Sequence, residues 1–80
     1  MICIITFLST HHAIAAERHC EKQVLCRLIP LPPRISAGCG LALKVQQPEL
    51  AEAMQVLAER DIPHQAGYLW IEEDHYEEIL

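Results

Sequence analysis

The sequence predicts an α+β domain, and three observations carry that expectation. Four short apolar runs have the β-branched content or the alternation of strands. Two segments with apolar residues at helical spacing fall between them. The chain has 80 residues, enough for one domain with one core. A chain of this size buries only about 60–65% of the surface its unfolded form exposes, so a large catalytic cleft is not expected.

Ile2-Cys3-Ile4-Ile5-Thr6-Phe7-Leu8 is apolar on both alternate sets, as a central strand covered on both faces reads. Ser9 or Thr10 then offers an N-cap hydroxyl for a helix over about residues 10–21. That helix has Ala13, Ala16 and Cys20 on one side and Glu17, Arg18, Glu21 and Lys22 toward water. Val24 to Ile29 alternates as a second strand, with Val24, Cys26 and Leu28 on one face and Leu25, Arg27 and Ile29 on the other. Pro30, Pro32 and Pro33 end it, because proline gives no donor to a ladder.

After a loop to Gly40, Leu41-Ala42-Leu43-Lys44-Val45 forms a third strand with Leu41, Leu43 and Val45 inward. Pro48 suits the first turn of a second helix. Glu49 and Glu52 lie near its positive end, and Leu50, Ala53, Met54 and Leu57 form its buried stripe. It stops near Asp61, before Pro63. Gln65 to Ile71 is a fourth strand, weakened by Gly67, and the segment after Glu72 reads as a frayed end or a short helix.

The order is βαββαβ, two similar halves, and its economical solution is the ferredoxin-like plait. The expected architecture is a four-stranded antiparallel sheet in the order 4-1-3-2, with both helices on one face. Residues 1–72 make the single domain and 73–80 an acidic C-terminal tail. The face without helices would carry Ile4, Leu25, Ile29 and Trp70, an apolar surface suited to a homodimer or another partner.

Composition excludes several functions. A net charge of −5 with six Lys and Arg cannot assemble the basic patch that nucleic acid requires, and it does not favour anionic membranes. No run approaches the ~20 apolar residues of a membrane span. Ala13-Ile14-Ala15 has the small residues of a secretory cleavage site, but no Lys or Arg precedes the apolar run. Cys3, Cys20, Cys26 and Cys39 show no C-x-x-C pair and no zinc-type tetrad, and three of them fall in apolar-patterned segments. A reducing, cytoplasmic compartment without a structural disulfide, metal or cofactor is the expectation.

The candidate site is Ser36-Ala37-Gly38-Cys39-Gly40. In the plait, strands one and three are neighbours, so the loop before strand three meets the junction of strand one and helix one. Cys39 is therefore expected near Ser9, Thr10, His11 and His12. A thiol beside a helix N-terminus is favoured as thiolate by the macrodipole and by free backbone N–H groups. Gly38 and Gly40 leave room for a second molecule and permit backbone shapes that aim N–H groups at an anion. Arg34 adds positive charge, and either His11 or His12 offers a base or donor. The opposing reading is an inert thiol in a tight loop entering a strand. A Cys/His metal site formed with His11 or His12 is weaker still.

The elements Ile4-Ile5-Thr6-Phe7, Ser9-Thr10-His11-His12-Ala13, Arg27-Leu28-Ile29-Pro30 with Pro33-Arg34-Ile35-Ser36, and Cys39-Gly40-Leu41-Ala42-Leu43 resemble a small bacterial family described as selenium/sulfur carrier protein-like. The resemblance covers residues 2–71 and leaves out the acidic tail. It implies that Cys39 carries sulfur or selenium as a persulfide or perselenide. The donor would be a cysteine desulfurase or selenocysteine lyase, and the acceptor a protein such as selenophosphate synthetase. Ser9, Thr10, His11, Arg34, Gly38 and Gly40 would form the surroundings of the thiol. A carrier fits better than a stand-alone enzyme. The alternative from another class is a regulatory or protein-interaction module, since this fold does not fix a function.

Overall fold

The computed structural model describes residues 1–80 and places seven regular elements along the chain. They are β1 (Ile2–Thr6), α1 (Thr10–Cys20), β2 (Cys26–Pro30), β3 (Leu41–Gln46), α2 (Leu50–Glu59), β4 (Ala66–Glu72) and β5 (His75–Glu78), with a 3-10 turn over Gln47–Glu49 leading into α2. All strand pairs are antiparallel, and the sheet order is β2-β3-β1-β4-β5. No helix is long and apolar enough to cross a membrane.

The expected four strands in the order 4-1-3-2 are therefore corrected to five, the addition being β5 at the edge beyond β4. The segment read as a frayed end or short helix is this strand. Its turn runs through Glu73 and Asp74, and Asp74 takes the left-handed conformation at φ 62 that Asp tolerates better than most residues. Gly67, read as a weakness in β4, has a packing reason. A Cβ there would stand 2.5 Å from Leu80 Cδ1, so the bare backbone makes room for the last side chain of the chain.

The main core lies between the sheet and the helices. Cys3, Ile5 and Phe7 from the middle strand meet Leu43 and Val45 of β3, with Ala13, Ala16 and Cys20 of α1 and Ala53, Val56 and Leu57 of α2 above them. The small residues of α1 let its backbone come close to the sheet. In α2 the fully buried residues are Ala53, Val56 and Leu57, while Leu50 and Met54 of the expected stripe are half-buried and pack against the same core from its margin. The helix ends on Asp61 at φ 56, with the Ile62 N–H reaching back to the Leu57 carbonyl at 2.9 Å, the C-terminal cap usually built on glycine.

On the other face Ile4 is fully buried with Ala42 and Ile35. The expectation that Ile4 is an exposed apolar residue is corrected. The turn closed by the Ile35 N–H to the Pro32 carbonyl, 3.0 Å, folds Ile35 down over it. Trp70 leans on Tyr76 with ring centroids 5.6 Å apart, so this face is furnished with aromatic side chains from β4 and β5. At the β2 edge Glu17 accepts the Leu28 N–H at 2.8 Å, and Pro30 has no N–H to offer, which leaves little for another strand to pair with.

Candidate functional site

β1 and β3 pair with Thr6 opposite Ala42, so the residues just before β3 must lie beside those just after β1. Gly38 adjoins Leu8, the residue before the α1 N-cap. A Cβ on Gly38 would stand 2.7 Å from the Leu8 carbonyl oxygen and 2.9 Å from its Cα. The loop thus touches the β1–α1 junction directly. Ser9 caps α1, its hydroxyl accepting the His12 N–H at 3.2 Å, and Thr10 opens the helix on the exposed side.

Two polar contacts fix the loop. The Gly38 N–H donates to Gln65 Oε1 at 2.9 Å, and the Gln65 N–H donates to the Thr6 carbonyl at 2.7 Å. Gln65 is a site residue that the reading of motifs missed. The available signal was its place directly ahead of β4, at the same end of the sheet as the loop. On the far side the Leu31 N–H donates to the Gly40 carbonyl at 2.8 Å, closing the loop's base.

Cys39 is half-buried, packs against the main core, and donates its S–H to the Leu41 carbonyl at 3.3 Å. Neither flanking glycine has a positive φ, so the expectation that both permit unusual backbone shapes is corrected. Gly38 is required by the close approach to Leu8, and its N–H is already taken by Gln65. Gly40 is exposed and has nothing within 4 Å of where a Cβ would stand.

The remaining candidates are not all gathered at the thiol. Arg34 is exposed in the turn that covers Ile4. His11 is exposed and lines a shallow groove along α1 with Ile14, Ala15, Arg18 and His19, a groove that Cys39 does not line. His12 is half-buried with its Nδ1 enclosed and without a partner. No three His, Cys, Asp or Glu side chains gather where they could hold a metal ion.

The other cysteines differ from Cys39 in setting. Cys3 and Cys20 are fully buried in the core, and burial pushes both thiols up. Cys26 lies in β2, and burial, then Cys20 and the carboxylates of Glu17, Glu21 and Glu49, push it up to about 11. Cys39 alone among the four sits in an exposed loop bounded by glycines.

No curated protein and no solved structure matches the chain. A family model does: residues 2–69 match the family described as "Putative Se/S carrier protein-like". The match takes in β1 through most of β4 and includes Cys39 and its loop. The chain belongs to this family.

Proposed function

From membership in the Se/S carrier protein-like family, we propose that this protein carries sulfur or selenium on Cys39 as a persulfide or perselenide. The observation that carries the reading is the division among the four thiols. Burial, joined at Cys26 by neighbouring carboxylates, pushes three of the thiols up, and the fourth is half-buried in a loop whose two flanking glycines are exposed.

In the proposed reaction the Cys39 thiolate attacks the terminal chalcogen of a donor's cysteine persulfide or selenide adduct. The donor's bond to that atom breaks, and the donor cysteine leaves as thiolate with the electron pair. The chalcogen passes between two cysteines in the same oxidation state, so the step needs no external oxidant or reductant. Delivery is the same exchange in reverse, to a nucleophile of the acceptor. A cysteine desulfurase or selenocysteine lyase suits the donor role, and selenophosphate synthetase or another acceptor protein the second. Such exchange belongs to a cytoplasmic setting.

Ser9, Thr10, His11 and Arg34 are proposed to meet the partner that delivers or collects the atom. Gly40 gives the approach side, and Gly38, through Leu8 and Gln65, holds the loop in place. The S–H bond to the Leu41 carbonyl must be released before Cys39 attacks, and the loop's hold on both sides keeps the sulfur in position while that happens. Intact-protein mass spectrometry after incubation with a desulfurase or lyase and its amino-acid substrate tests the reading. One added, reductant-labile chalcogen atom, absent from Cys39→Ser, is expected.

A further inference from the structure

Leu8 stands beside the Cys39 loop with most of its side chain in water: it is 61% exposed. It occupies the position just before the N-cap Ser9, where an apolar side chain often packs against the fourth residue of the helix. That residue is Ala13, wholly buried in the main core, and Leu8 is not among the residues packed there. Single exposed leucines are common on protein surfaces, and what distinguishes this one is its place.

Gly38 rests on the Leu8 backbone, its Cβ position 2.9 Å from the Leu8 Cα. Cys39 is the next residue, so chain geometry sets the Cα atoms of Leu8 and Cys39 within about 8 Å of each other. None of the three grooves on the surface is lined by Cys39. A protein that exchanges an atom with this thiol must therefore come down on the surface around it. An interface of ~800 Å² per partner reaches roughly 16 Å from its centre, about twice the span from Cys39 to Leu8. A partner centred on Cys39 covers Leu8 as well.

We propose that Leu8 is the apolar anchor for the protein that loads or unloads Cys39, received in an apolar depression beside that partner's chalcogen-bearing cysteine. This inference rests on the carrier reading. Burial of Leu8 supplies the adhesion that its neighbours do not. Thr10 and His11 are exposed and polar, and the Ser9 hydroxyl already accepts the His12 N–H, so these residues form the rim of the contact. The Leu8 side chain is also free for this use, because the Cys39 loop leans on its backbone and most of the side chain lies in water.

The test compares the native chain with Leu8→Ser, Leu8→Met and Leu25→Ser. Leu25 is 77% exposed and precedes β2, at the end of the β2–β3 pair away from Cys39. Single-turnover loading by a cysteine desulfurase with cysteine, or by a selenocysteine lyase with selenocysteine, is followed by intact-protein mass spectrometry. Alkylation of Cys39 by iodoacetamide is timed on the same samples. Leu8→Ser should load about ten-fold more slowly, the weight of burying most of one leucine side chain. Leu8→Met and Leu25→Ser should load at close to the native rate, and all four chains should be alkylated at Cys39 equally fast. Leu8→Ser loaded as fast as native would overturn the proposal and leave the carrier reading standing. So would a Leu25→Ser slowed as much as Leu8→Ser, or a Leu8→Ser whose alkylation slows as much as its loading. A native chain that neither enzyme loads would remove the carrier reading and this inference with it.

Discussion

Gln65 Oε1 accepts the Gly38 N–H at 2.9 Å while the Gln65 N–H donates to the Thr6 carbonyl, so one residue ties the Cys39 loop to the end of the central strand. Gln65→Ala should speed hydrogen exchange at the Gly38 amide and cost about 0.5–1.5 kcal/mol of stability, the usual worth of one hydrogen bond. Gln65→Glu keeps an acceptor and should keep the protection. Exchange followed by NMR checks this, and unchanged protection in Gln65→Ala would show that the side chain does not hold the loop.

The two glycines around Cys39 should respond oppositely to alanine. Gly38→Ala drives a Cβ to within 3 Å of backbone atoms of Leu8 that cannot swing aside, so a loss of roughly 1–3 kcal/mol is expected. Gly40→Ala meets open space and has no positive φ to oppose it, so its stability should stay within about 0.5 kcal/mol of native. Urea denaturation of both variants measures the difference. Equal losses would contradict the assigned roles.

Alkylation of the native protein, resolved by mass spectrometry of peptides, should label Cys39 before Cys26, and Cys3 and Cys20 only on unfolding. The raised pKa of Cys26 also gives a pH dependence to stability. Above the ordinary value of 9.0 the unfolded thiol loses its proton while the folded one, at about 11, keeps it. Its stabilising contribution is therefore complete below pH 9 and is lost as pH rises through 11. Cys3 and Cys20 act in the same direction. Urea midpoints should fall over this window, and Cys26→Ala should fall less steeply.

The β2 edge should open when Glu17 is truncated. Glu17→Ala leaves the Leu28 N–H without its acceptor at 2.8 Å, at a cost of about 1–3 kcal/mol. It also frees a strand edge for pairing between chains. Thermal unfolding and light scattering would reveal both effects, and a variant as stable and as free of aggregation as native would refute the role of the carboxylate.

Much of this architecture was legible because local pattern and long-range packing agree. The doubly apolar run from Ile2 to Leu8 reads as a central strand, and its first five residues, Ile2–Thr6, are the middle strand of five. Ser9 or Thr10 reads as the N-cap, and Ser9 takes that place. The adjacency of the Cys39 loop to the β1–α1 junction followed from strand neighbours alone, and Leu8 against Gly38 is that contact. What escaped notice depended on side chains far apart in sequence. β5 was hidden because His75 to Glu78 carries the charges of a solvated tail, and its pairing with β4 rests on a turn at Asp74. The burial of Ile4 depends on Ile35 in a proline-rich loop, for which no periodicity gives a signal. Gln65 has no motif of its own, and only the geometry of the loop reveals its bond to Gly38.

The central claim is that Cys39 is the atom-carrying thiol. Its most direct test is intact-protein mass spectrometry of the native chain and Cys39→Ser after incubation with a cysteine desulfurase or selenocysteine lyase and its amino-acid substrate. Serine can keep the donation to the Leu41 carbonyl, so the variant should remain folded. The account predicts one added sulfur or selenium atom on the native protein, removed by a thiol reductant and absent from the variant. A native protein that stays unmodified while a control acceptor is loaded, or a variant loaded as fully as native, would contradict it.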